Sequence, residues 1–183
     1  MRAAHASAPL TSTLTERLAF PVVMAYFWVV MTLFGAIVLE TVMIYPNVFA
    51  DPPESLELTM EFLSVVGPGD VFQVSGLACW ILGAASLVLT LRAPNVRWWI
   101  ALGLAALVAE GVVSMLFFWP RNDIMFTEGL AVHSAEYLRE VAQEFETWHW
   151  LSRMLFNTIA AVSAFVGFLG LYKRRVLRSA FVA

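Results

Sequence analysis

Residues 148–172 read WHWLSRMLFNTIAAVSAFVGFLGLY. Apart from one arginine the run carries no fixed charge, and it exceeds the ~20 residues that cross ~30 Å of hydrocarbon. Its polar residues are patterned. His149, Arg153 and Asn157 recur at every fourth position, and the stripe continues through Ala160 and Ala164. Such a helix shows lipid on one side and something polar on the other. An ionisable group in a span costs at least ~2.5–3.5 kcal/mol on insertion scales, so Arg153 must be paired, hydrated or used.

Working outward, three more apolar stretches share this character, at about 18–45, 70–91 and 98–119. The composition is 60% hydrophobic with mean hydropathy +0.75 and 14% charged residues, which excludes an ordinary soluble domain. The basic residues are too few, and too tightly placed at span ends, for a nucleic-acid surface. A single cysteine, Cys79, excludes a disulfide framework and a thiolate metal cluster.

Arg2, Arg17, Arg92, Arg97, Lys173, Arg174, Arg175 and Arg178 flank one side of the spans, and only Arg121, Arg139 and Arg153 fall towards the other. The positive-inside rule then places both termini in the cytoplasm and the chain in the plasma (inner) membrane as a multi-pass protein. Trp98 and Trp99 mark the inner interface, and Trp119, Trp148 and Trp150 the outer one. The expected organisation is a flexible arm over 1–17, a four-helix membrane domain over 18–172 and a basic cytoplasmic tail over 173–183. Span one is expected to end at Pro46-Asn47 and span three at Trp119.

Both outer loops carry helical patterns. Leu56, Met60 and Leu63 form an apolar stripe between Pro52-Pro53 and Gly67-Pro68-Gly69. Leu130, Leu138, Val141 and Phe145 form another among Glu136, Arg139, Glu140 and Glu144. The expected fold is all-α: a four-transmembrane-helix bundle with short amphipathic helices in its two outer loops.

Depth follows from a rise of ~1.5 Å per residue. Glu40 and Arg153 lie ~7 Å below the outer edge, and Glu110 and Asn157 ~13 Å below it. This predicts a Glu40–Arg153 pair at one level and a Glu110–Asn157 pair at the next. Glu110 shares its face with Gly103 and Ser114, and Glu40 with Thr32 and Ala36. Faces lined by small residues let membrane helices approach, so these point into the bundle. Asp70 and Gln73 can close the same pocket from span two.

Two readings stay open. The charges can satisfy one another and fix helix register, or they can be a working site. His149 belongs either to that site or to the interface, and His133 to a solvated helix. His5 lies in the arm and carries no reading. A metal would have to recruit His149 or His133 with Glu40, Glu110 or Asp70. No ligand pair at His-x-x-x-His or Glu-x-x-His spacing is recognised, so neither metal nor other cofactor is expected. Asn122 either caps the outer helix or points into the pocket.

Two motifs carry a family resemblance: WPRNDIM at 119–125, and FETWHWLSRMLFN at 145–157, with an acidic amphipathic segment between them. Together with ETVMIYPNVF at 40–49 they make the chain resemble, over roughly residues 25–172, the anthrone oxygenase-like family of small four-span membrane proteins. Pro120, Asn122, Trp148 or Trp150, and Arg153 match that family's Pro-x-Asn and Trp-rich, Arg-containing elements. Trp148-His149-Trp150 stands where the family often shows Trp-Asn-His. The resemblance implies a cofactor-free oxidoreductase, a monooxygenase-type enzyme acting on a hydrophobic aromatic or quinone-like substrate in an outward-opening intramembrane pocket. Glu40, Glu110 or His149 would serve as base and Arg153 as oxyanion partner. Gln73, Asn122, Trp148, Trp150 and Asn157 would contact the substrate. The alternative is a non-catalytic subunit, lipid-binding module or assembly factor of a larger membrane complex. Partners on either reading are the lipid bilayer, a hydrophobic small molecule, and a homo-oligomer or larger assembly.

Overall fold

The computed structural model describes residues 14–180. Residues 1–13, most of the expected arm, and residues 181–183 at the end of the expected tail lie outside the described residues, as does His5. Among the described residues there is no strand.

The first membrane helix, α1 (Leu14–Leu39), runs through a wider π-helical turn (Glu40–Ile44) into α2 (Tyr45–Val48). A short helix α3 (Glu54–Phe62) follows, then α4 (Pro68–Thr90). α4 starts where the sequence dictates: Pro68 tolerates the first turn, and the Asp70 carboxylate accepts the Gly67 N–H at 2.9 Å. A three-residue turn leads to α5 (Pro94–Val113), which continues through a π turn (Ser114–Phe118), α6 (Trp119–Asn122) and a second π turn (Asp123–Glu128) to α7 (Gly129–Val132). α8 (Ala135–Trp148), capped by the Ser134 hydroxyl, passes through a last π turn (His149–Met154) into α9 (Leu155–Ala180).

Four of these helical runs are long and apolar enough to cross a membrane: Arg17–Val48, Pro68–Thr90, Pro94–Val132 and Ala135–Leu177. The first ends at Val48, close to the expected Pro46-Asn47, whereas the third runs on past Trp119 to Val132 and the fourth begins at Ala135, ahead of Trp148. At the prolines the reason is local. A proline ring clashes with the carbonyl four residues back; for Pro46 and Pro120 those carbonyls belong to Val42 and Leu116, inside the π turns. A π turn opens the backbone there, so the third run absorbs Pro120 and continues, while the first takes in Pro46 and ends two residues later at Val48.

α1 packs on α4 and α9, and α5 packs on the same two helices, giving a closed ring of four. Helices without water to expel associate through close packing, and small residues set the distance here. A Cβ on Gly103 would meet the Tyr26 hydroxyl at 3.0 Å and Ser163 at 3.3 Å, and one on Gly167 would meet Ile100 at 2.7 Å. Gly170 lies against Val96, and the Arg175 guanidinium stands over the Phe20 ring, so α1 begins and α9 finishes at one end of the bundle. Outside the ring, Trp28, Leu77, Ile81, Val88 and Leu116 are exposed, a surface suited to lipid and not to water.

The interior has two apolar clusters. The lower contains Val23, Tyr26, Val30 and Ile37 with Ile100, Leu107, Ala160 and Ala164. The upper contains Tyr45, Val48, Leu56, Phe118, Leu138 and Phe145. The α8 stripe enters this upper cluster through Leu138, Val141 and Phe145 and the α3 stripe through Leu56 alone, while Met60 and Leu130 are exposed. A polar layer separates the two clusters.

Candidate functional site

The polar layer is built by three spans at three π turns. Glu40 and Thr41 open the first, Ser114 opens the second one turn after Glu110, and His149, Ser152 and Arg153 lie in the third. π turns often mark functional positions because they re-aim side chains that a regular helix would spread around its surface. Here the first turn buries the neighbours Glu40 and Thr41 together, each 3% exposed. It also joins the Tyr45 N–H to the Glu40 carbonyl, which brings the Tyr45 side chain back over Glu40.

Arg153 is the hub. Its Nε donates to Glu110 Oε1 at 3.1 Å, and its Nη1 lies 3.7 Å from Glu40 Oε2. The guanidinium sits between the Phe72 and Phe118 rings, with centroids at 5.2 and 5.6 Å. Ser114 donates to the same Glu110 oxygen at 2.7 Å. Thus Glu40, Glu110 and Arg153 do converge from three separate spans. The pairing expected from depth is revised: Arg153 serves both carboxylates. Asn157 is buried but donates to the Arg153 carbonyl of its own helix at 2.9 Å, so it supports the backbone and not Glu110.

Below the roof formed by α3, a cavity of about 880 Å³ reaches this layer. Glu40, Glu110 and Arg153 open onto it, with Gln73, Asn122, Tyr45, Phe72 and Trp80. Along the third span it extends from Leu107 to Thr127, ~30 Å at ~1.5 Å per residue. Gly69 and Gly76 border open space, since a Cβ on either would meet nothing within 4 Å. Trp80 closes the floor, its indole N–H donating to the Leu107 carbonyl at 3.2 Å. Leu77 and Met115 line the cavity while remaining exposed, so the space opens at the α4 edge.

His149 lies elsewhere than the expected pocket wall. It is fully buried behind Glu40, with Nδ1 3.1 Å from Thr41 Oγ1 and Nε2 3.6 Å from Glu40 Oε2. Tyr45, Phe118 and Phe145 enclose its ring. Trp148 and Trp150 are half exposed and do not border the cavity; Trp148 packs on Phe117 instead. Asp70 caps α4, and His133 pairs with Glu128 away from the site.

The sequence reading passed over Thr41, Tyr45, Phe72 and Trp80 as site residues. Thr41 and Tyr45 carried a usable signal, since both flank a glutamate at the end of a span that contains a proline. It also passed over Glu146, which precedes His149 by three residues at a Glu-x-x-His spacing. That carboxylate borders a small groove with Asp51 and Arg139 and not the cavity. Among the described residues no three His, Cys, Asp or Glu side chains converge as a metal-binding group. Arg153 stands between the two carboxylates, where a cation would otherwise sit. Comparison with protein-family models, with curated proteins and with solved structures finds no match to the chain.

Proposed function

We propose that the chain is a plasma (inner) membrane oxidoreductase, with both termini cytoplasmic, that binds a hydrophobic aromatic or quinone-like molecule in the outward-opening cavity. One observation carries this reading: a large, mostly apolar cavity ends on a buried carboxylate, Glu40, with an arginine facing the same space. Apolar walls with a few convergent polar groups are the usual form of a small-molecule site.

In this reading Glu40 removes a proton from an activated ring C–H, and the electron pair moves onto the ring oxygen. Arg153 holds that oxyanion, with the Tyr45 hydroxyl beside it. Dioxygen then forms a C–O bond and receives the proton back as a hydroperoxide. Loss of the second C–H breaks the O–O bond and releases water. The sum is CH₂ + O₂ → C=O + H₂O, with carbon oxidised by dioxygen alone. This is the chemistry that the resemblance to anthrone oxygenase-like proteins implies, and it calls for no cofactor. Gln73 and Asn122 are placed to contact the substrate, while Glu110 anchors Arg153.

The test is quinone formation and oxygen uptake with an anthrone, using the protein in lipid nanodiscs. Glu40→Gln should lower kcat by about 10²-fold or more, the usual contribution of a positioned base, with normal folding yield. Absence of both binding and turnover in the wild type would overturn the proposal. A second reading, a lipid-binding or assembly subunit of a larger complex, draws on Phe62 and Val65, which are 83% and 91% exposed at the end of α3. Binding of apolar ligands without turnover, and loss of a cellular complex in a Phe62→Ser variant, would favour it.

A further inference from the structure

The Thr41 hydroxyl has one proton to give, and it goes to the Ile37 carbonyl at 2.6 Å. Its contact with His149 at 3.1 Å must therefore run the other way: His149 Nδ1–H donates to Thr41 Oγ1. The network thus assigns the tautomer. In neutral His149 the remaining nitrogen, Nε2, then presents a bare lone pair. It faces Glu40 Oε2 at 3.6 Å, and neither atom has another hydrogen-bond partner. Glu40 Oε2 also has Arg153 Nη1 at 3.7 Å, but His149 Nε2 faces no donor; two lone pairs directed at each other repel, and a buried acceptor left unpaired is costly. A single proton on either atom, drawing the pair in from 3.6 Å to hydrogen-bond distance, removes both penalties.

The charges of the layer require the same proton. Glu40 and Glu110 facing only Arg153 would leave one net negative charge in the membrane interior. The other polar groups of the layer do not supply a cation. These buried groups are Tyr45 and Thr41 from the first span and Ser114 from the third span, with Ser152 and Asn157 from the fourth. One proton on the Glu40–His149 pair makes the layer neutral.

We infer that Glu40 and His149 jointly bind one proton and form the proton store of the site, Glu40 facing the cavity and His149 sealed behind it. The functional part rests on the proposed role of Glu40 as the base. A neutral substrate that gives its proton to the pair becomes an anion beside a layer now carrying one positive charge, so the total does not change. His149 is then a positioning residue: it touches Glu40 and not the substrate.

The test uses ligand-free, full-length protein in lipid bilayers, labelled with ¹⁵N-histidine and ¹³C-glutamate, by solid-state NMR at neutral pH. His149→Gln identifies the His149 signals among those of the three histidines. The expected spectrum has Nδ1 protonated and a proton on, or shared with, Nε2, the Glu40 carboxyl reporting the complementary state. Glu40→Gln, whose amide N–H can occupy the place of the shared proton, should keep the fold and leave His149 neutral with Nδ1–H. A wild-type His149 bearing its proton on Nε2 alone, or a bare Nε2 beside an ionised Glu40, would overturn the inference. Because no substrate is present, these outcomes are independent of whether the anthrone assay succeeds.

Discussion

At the residue scale, Arg153 is the side chain whose removal is most costly. It compensates two carboxylates from two other spans, and breaking a buried pair by deleting one partner typically costs about 3–5 kcal/mol. Arg153→Gln should therefore lower thermal stability by roughly 3 kcal/mol, measured by unfolding in detergent, because Glu110 then loses its buried cation and Glu40 keeps only its contact with His149. Adding Glu110→Gln to that variant should restore part of the loss. Additive losses instead would show that the two residues do not act as a unit.

At the element scale, the crossing of α4 and α5 and the cavity beside it make opposite demands on glycine. A Cβ at Gly111 would stand 2.4 Å from Trp80 Cζ2. Gly111→Ala should displace the indole that floors the cavity, break its bond to Leu107, and destabilise by about 1–3 kcal/mol, as overpacking does. Gly76 faces open space, so Gly76→Ala should be neutral or stabilising by up to about 1 kcal/mol through helix propensity. Gly76→Phe should leave stability within about 1 kcal/mol of Gly76→Ala, since the ring has room, while abolishing binding of a fluorescent apolar probe. Equal probe binding by Gly76→Phe and wild type would mean that the cavity is not where such molecules bind. Gly111 and Gly76 look alike in the sequence; only their neighbours distinguish them.

At the scale of the molecule, the third and fourth helical runs are 39 and 43 residues long. At ~1.5 Å per residue both exceed the ~30 Å hydrocarbon core by a wide margin. They rise together beyond it as a hairpin, joined by Arg121 to Glu144 at 2.7 Å, and with α3 they build the headpiece over the cavity. Since α1 begins and α9 finishes at the opposite end, the proposed orientation has a direct consequence. A thiol-specific reagent that cannot cross membranes should label Val65→Cys in intact cells and should not label Asn95→Cys in the first turn of α5. The native Cys79 is buried and gives little background. The reverse labelling pattern would place the cavity on the cytoplasmic side.

The sequence by itself determined the four apolar runs, and it singled out Glu40, Glu110 and Arg153, because transfer into hydrocarbon penalises charge so strongly that a surviving charge announces itself. It also marked the small residues, such as Gly103 and Ala160, at which helices can approach. The tertiary structure alone decided how those groups pair. Helical rise gives depth, but the order of helices around the ring and the local opening of π turns give azimuth, and azimuth sets Arg153 between both carboxylates and His149 behind Glu40. A pocket at the level of these charges was expected from the chain, but its size and walls came only from the tertiary structure: it is a space that no residue fills, bordered by α4, by the first and third helical runs and by Arg153.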